Sequence, residues 1–259
     1  MNNLKVLCLL LTTLLAISTK GADALVSKYL TTVEYISSKK VILNVYKEVT
    51  VYNERGRNLS NFIVSYDPDK PIKKMSAQLL DGNGKLVKSY KMKDIHDISA
   101  YTESTLFHEF RHKQIEVIYP SYPYTAILEY SQEYNEFISL PGWFPQEDYG
   151  IGVLYASYSV IYNNQTPIRF MHDNLGDPVK SEPKEGVFQL FWEIKNAPPL
   201  EKEPFRLRYP GQPLAWLWFL SVLHTKVSMV VTLVGIPTGA GLVQWSRGRT
   251  GCPNNCAPW

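Results

Sequence analysis

The run His108-Glu109-Phe110-Arg111-His112 is an H-E-x-x-H string, the spacing that carries hydrolytic metal chemistry. On a helix, His108 and His112 would project from one face and share a zinc ion, while Glu109 would activate the bound water. Thr102-Glu103-Ser104-Thr105 could cap such a helix. Against this stand the charged Arg111 and Lys113 around the supposed metal. The string also runs straight into Gln114-Ile115-Glu116-Val117-Ile118-Tyr119-Pro120, which reads as a strand. No third ligand follows in a helical context, although Glu129 and Glu133 lie further on. Zinc hydrolysis through Glu109, His108 and His112 is therefore the alternative reading, and solvated side chains near a strand the main one. His96 and His172 stand alone beside Asp94, Asp97 and Asp173 and read as solvated polar groups. No G-x-S-x-G elbow exposes a serine, and no glycine-rich phosphate loop is present. No catalytic residue, metal or cofactor is expected.

A second kind of chemistry is recognition. Tyr119-Pro120-Ser121-Tyr122-Pro123-Tyr124 and Leu140-Pro141-Gly142-Trp143-Phe144-Pro145 place rings and prolines where a loop would sit. Tyr122, Tyr124, Trp143 and Phe144 could offer a surface for a peptide, a glycan or a neighbouring domain. The other reading is that these rings cap the ends of the fold.

The elements that must position these residues alternate with period two. Val41, Leu43, Val45, Val49 and Val51 share one face of Val41 to Tyr52. The runs Thr125 to Tyr134, Val153 to Tyr162 and Phe188 to Ile194 behave alike, which means strands with one face buried and one wet. Asp81-Gly82-Asn83-Gly84 predicts a tight hairpin between Met75–Leu80 and Leu86–Met92. Asn53-Glu54-Arg55-Gly56, Asp67-Pro68-Asp69 and Ala197-Pro198-Pro199 break the other runs. The fold class expected is all-β: an antiparallel two-sheet β-sandwich of about ten strands over residues 25–205. Seventeen Tyr and six Trp suit that reading, and the net charge of +3 without a basic stripe excludes nucleic acid as a main partner.

At the N-terminus, Val6 to Ile17 is a short apolar run after Lys5, followed by the small-x-small pattern Ala22-Asp23-Ala24. This predicts a signal peptide over residues 1–24, cut near Ala22 or Ala24, and a periplasmic or secreted protein with no expected membrane contact afterwards. Cys8 lies inside the run, too early for lipidation. Only Cys252 and Cys256 then remain, so the β body carries no disulfide framework.

Several pieces together resemble a known pattern. They are Asp23-Ala24-Leu25-Val26, Val51-Tyr52-Asn53-Glu54-Arg55-Gly56-Arg57, the 81–85 hairpin, and Tyr122-Pro123-Tyr124-Thr125 with Glu129-Tyr130. Pro141-Gly142-Trp143, Trp192-Glu193 to Asn196-Ala197-Pro198, and Glu203-Pro204-Phe205 complete the set. The set resembles the uncharacterised β-rich domain that precedes a transglutaminase-like domain in exported bacterial proteins. The resemblance implies a non-catalytic accessory module and a transglutaminase-like domain as its partner in a longer parent. The catalytic Cys-His-Asp set of that partner domain has no counterpart in these residues, and 108–112 falls in a variable stretch of the pattern.

Residues 206–259 differ in kind: Glu203 is the last acidic residue, and Gly, Trp, Arg and Cys rise. An irregular tail is expected there, and a frameshift near Arg206 would explain it. Read one base out of register, Ser228 to Val234 can give Tyr-Gly-Gly-Tyr-Thr-Gly, which suits the family's continuation. The nucleotide sequence around codon 206 decides the point. The competing account makes Leu214 to Ile236 an apolar anchor for a membrane-tethered ligand-binding or adhesion sandwich. His224 and Lys226 near its middle oppose that, since a mid-bilayer lysine costs about 3 kcal/mol.

Overall fold

The computed structural model describes residues 22–37, 39–99, 110–135, 142–163, 168–173, 175–184, 186–200 and 228–233. Residues 1–21 of the expected leader, His108, Glu109 and most of the tail lie outside them. The strands are β1 (Ala24–Ser37), β2 (Lys40–Val51), β3 (Asn61–Tyr66), β4 (Ile72–Leu80), β5 (Leu86–Tyr90), β6 (His96–Ser99) and β7 (Arg111–Glu116). They continue as β8 (Tyr124–Tyr134), β9 (Ile151–Asn163), β10 (Ile168–Asp173), β11 (Val179–Lys184), β12 (Val187–Ala197) and β13 (Ser228–Leu233). A short 3-10 helix, Glu54–Ser60, links β2 to β3.

The fold is all-β. Eight strands form one sheet in the order β11-β12-β9-β1-β2-β8-β4-β5, and β3-β7-β6 form a smaller one. The small sheet covers part of the large one: Phe62, Val64, Ile115 and Val117 join Val49, Met75 and Leu128 in a single apolar core. Gln132 ties the two layers, its side-chain amide donating to the carbonyls of Ser65 (3.0 Å) and Lys70 (2.8 Å).

The period-two reading of β2 holds residue by residue, with Val41, Leu43, Val45, Val49 and Val51 all buried. The 81–85 hairpin also forms as its residues require. The Asp81 carboxylate accepts from the amides of Asn83 and Lys85 (both 2.9 Å), and Gly84 takes a φ of 78° that favours glycine.

Two features depart from the expectation. The large sheet is mixed rather than wholly antiparallel, because β1 lies between β2 and β9 and runs parallel to β9. A parallel pair needs a crossover, and here the whole span from β2 to β8 supplies it. Within the tail expected to be irregular, Ser228–Leu233 is a strand paired antiparallel with β10, consistent with its Val-Val-Thr content.

The start of β1 is fastened to the turn after β2. The Asp23 carboxylate accepts from the Asn53 amide (3.0 Å) and from Nε of Arg55 (2.8 Å), and pairs with the Arg55 guanidinium at 2.7 Å. The Asp23 amide donates to the Gly150 carbonyl (2.8 Å), and the Asp23 carbonyl accepts from Tyr52 (3.0 Å).

Candidate functional site

His112 is the second residue of β7, opposite Ser65 of β3 and Ile98 of β6, so this end of the H-E-x-x-H string is strand and not helix. Alternation sends neighbouring strand residues to opposite faces, and the i, i+4 geometry of a helical zinc pair is lost. His112 Nδ1 is hydrogen-bonded to Ser65 Oγ at 3.0 Å. Among the described residues, no group of three or more His, Cys, Asp or Glu is placed to hold a metal ion.

The charges beside it are spent on each other. Asp97 accepts from the Tyr66 hydroxyl (2.7 and 2.8 Å), from Arg111 Nε (2.9 Å) and from Lys113 Nζ (3.1 Å). The Tyr66 hydrogen bond, with Lys113 and Arg111 behind it, holds the Asp97 carboxyl down to about 2.

The four aromatic residues expected to form a surface separate into two places. Tyr122 is 37% exposed and stacks on Tyr124 with ring centroids 5.6 Å apart, its hydroxyl donating to Glu54. Tyr124 itself is fully buried, with its hydroxyl 2.9 Å from Ser60 Oγ. Trp143 is only 1% exposed and packs between Tyr29 and Tyr158, at centroid distances of 6.3 and 5.8 Å. Phe144 is half-buried. Of the four, Tyr122 and in part Phe144 are left accessible to a partner; Tyr124 and Trp143 cap the fold, because burying such large rings is worth more than leaving them wet.

Trp143 belongs to a segment, 142–150, laid over the inner face of β9, β1 and β2. Gln146 pins it by donating to the carbonyls of Ile151 (3.1 Å) and Pro198 (2.8 Å). Beneath it sits a residue the sequence reading passed over. Lys47 takes the inward position of β2 between Val45 and Val49 and is 7% exposed. Its Nζ is ion-paired with Glu147 and lies 5.5 Å from the centroid of Tyr29. The signal was available as a gap: the apolar series 41, 43, 45, 49, 51 skips 47, the one position where a lysine stem faces the core.

Tyr29, Tyr130, Tyr134 and Tyr158 surround this pair on the same inner face. Burial, chiefly, pushes the Tyr130 hydroxyl up to about 12, with the Glu147 charge adding to it, and raises Tyr29, Tyr134 and Tyr158 further. A raised folded-state value means that the native state holds its proton longer than the unfolded chain. The stabilisation is thus complete below pH about 10 and is lost as pH rises through about 12. Tyr130 alone contributes about 2 kcal/mol by this route, trimmed for its partial exposure. Alkaline titration followed by phenolate absorbance should show these tyrosines ionising only together with loss of the folded-state circular dichroism. Ionisation of all seventeen tyrosines near pH 10 with the fold intact would refute the assignment.

The opposite, outward face of the large sheet carries a cleft of about 470 Å³ across β1, β2, β8 and β4. Asn44, Tyr46, Lys74, Ser76, Glu129 and Ser131 line it. Tyr46 is held upright by donation of its hydroxyl to Glu48 (3.0 Å), and Lys28 Nζ lies 5.6 Å from its ring centroid. Towards the Tyr124 end, Ser27, Thr50 and Thr125 form a hydroxyl ladder with steps of 3.1 Å. The face offers donors and acceptors around one ring, the equipment for a polar ligand or a polar protein surface.

Residues 37–201 match the model of a family described as a domain of unknown function with a solved structure, DUF3857. No curated protein matches the chain. Among solved structures, a candidate protease from Parabacteroides distasonis superposes with a TM-score of 0.60 at 15% identity, over 82% of this chain and 40% of its own. At that identity the likeness shows the fold. An M1 zinc metallopeptidase from Deinococcus radiodurans overlaps 85% of this chain and 50% of its own, at 10% identity and a TM-score of 0.34, too loosely to support any argument. The chain spans 40% and 50% of the lengths of these two proteins.

Proposed function

The chain belongs to the DUF3857 family, and on that premise we propose that it is a non-catalytic accessory module, an exported sandwich that holds a partner rather than transforming a substrate. In the longer parent implied by the sequence resemblance, that partner is a transglutaminase-like domain. The observation that carries this reading is how the gathered ionisable groups are used. Asp23 is bonded to Asn53 and Arg55, Lys47 to Glu147, Asp97 to Tyr66, Arg111 and Lys113, and His112 to Ser65. Each ties two elements together, and the carboxylates and cations of the first three sets are spent on one another, whereas a nucleophile or general base must be left a proton or a lone pair to exchange. The outward cleft and the exposed Tyr122 ring are the surfaces offered to the partner, and either could take a peptide or a glycan.

The test has two measurements on the purified chain. Amide-hydrolysing and cross-linking assays should give no turnover, and clear turnover would overturn the assignment. Metal analysis should find zinc well below one per chain. Stoichiometric zinc that disappears in a His112→Ala variant would instead establish the hydrolase reading through His108, Glu109 and His112. For the membrane-tethered adhesion reading the discriminating measurement is detergent dependence of extraction, which an exported module held by no anchor should not show.

A further inference from the structure

We propose that the leader is removed at the Gly21–Ala22 bond, so that the mature protein keeps Asp23, and that the better-looking site after Ala24 is not used. The inference rests on the reading of residues 1–24 as an export signal, and refines where that signal ends.

By residue pattern alone, Ala22-Asp23-Ala24 supplies small residues at the two positions the peptidase inspects and puts the cut after Ala24. The fold argues otherwise. Ala24 is fully buried as the first residue of β1, paired with Val51 on one side and Ile151 on the other. Asp23 is the hub of the corner: its side chain is 17% exposed and ties Asn53 and Arg55, while its backbone ties Tyr52 and Gly150. Two glycines are shaped around it. A Cβ on Gly56 would lie 2.2 Å from the Asp23 carbonyl oxygen, and one on Gly150 would lie 2.6 Å from its carboxylate, with φ at 73°. A chain beginning at Leu25 would leave the amide of Tyr52, the carbonyl of Gly150 and the Asn53 side chain without this partner, above a gap that both glycines face, while the exposed Arg55 guanidinium would turn to water. Unmade bonds at such sites are costlier than bonds never provided for. Thr19-Lys20-Gly21 offers a second small-x-small pattern three residues earlier, and a cut there leaves Ala22 and Asp23 in place.

The experiment is export of the full chain from a Gram-negative host, with the intact mass and N-terminal sequence read on the periplasmic product. The expected mature chain begins at Ala22. An exported product beginning at Leu25 overturns the inference while leaving export intact; a chain that stays inside the cell with residues 1–21 attached overturns both. A second measurement compares purified chains beginning at Ala22 and at Leu25. Loss of the Asp23 corner should lower the melting temperature by roughly 10 °C, and an Asp23→Ala change in the longer chain, which keeps the backbone bonds to Gly150 and Tyr52, should reproduce only part of that drop. Equal melting of all three would show that the fold does not need Asp23 and would overturn the structural ground of the proposal.

Discussion

Trp143→Ala should destabilise the protein by about 4 kcal/mol, the range typical of deleting a buried indole. The ring is 1% exposed and wedged between Tyr29 and Tyr158, and it closes the inner face of β1 and β9 beneath the 142–150 segment. Alanine would leave a cavity that these neighbours cannot fill, because Tyr29 is held against Lys47 and Tyr158 against Trp192, 6.2 Å away. Trp143→Phe should cost far less, since the indole Nε1 has no hydrogen-bond partner to lose. Tyr122→Ala gives the contrast: its ring is partly exposed, and losing its bond to Glu54 should cost under about 1 kcal/mol. Urea denaturation of the three variants orders them. A Trp143→Ala protein as stable as the parent would mean that this ring belongs to an exposed recognition surface after all.

Gly56→Ala should be nearly as damaging, at about 3 kcal/mol. The added methyl would lie 2.2 Å from the oxygen and 2.6 Å from the carbon of the Asp23 carbonyl, both backbone atoms that cannot swing aside. Relief requires moving Asp23, and with it the bonds to Tyr52, Asn53, Arg55 and Gly150. Gly84→Ala is the control that separates crowding from backbone strain. Nothing lies within 4 Å of its missing Cβ, so only the unfavourable φ of 78° remains, worth about 1 kcal/mol. Thermal melting of the two variants tests this, and a Gly56→Ala protein no worse than Gly84→Ala would show the corner to be loose.

Alternation made the sheets legible, because a strand with one wet face writes its register into the order of residue types. β2 can be read off its valines, and the 81–85 hairpin off its glycines and asparagine. Pairing over distance could not be read this way: nothing in the local pattern of Ala24–Ser37 says that Ile151–Asn163 will lie parallel beside it. The candidate site was legible only in part for a related reason. Aromatic residues next to prolines look alike whether they cap a core or greet a ligand, and the difference between Trp143 and Tyr122 is set by which sheet face lies below them. Lys47 was overlooked because a lysine at an inward position reads as a lapse in the pattern, until Glu147 arrives a hundred residues on to neutralise it. The run around Asn53, Arg55 and Gly56, which carries part of the family resemblance, forms the seat of Asp23, a long-range partner that its own spacing does not reveal.

The parallel union of β1 with β9 has a consequence for the order in which the protein comes together. The β1–β2 ribbon is joined by a short turn and can assemble early, but the other flank of β1 stays open until the chain has been made as far as Ile151–Asn163. Closing so long a loop is slow, and an open strand edge invites pairing with another chain meanwhile. A chain that has formed only its first hairpin therefore carries an unpaired margin through the middle of its future sheet until residues 151–163 arrive to cover it.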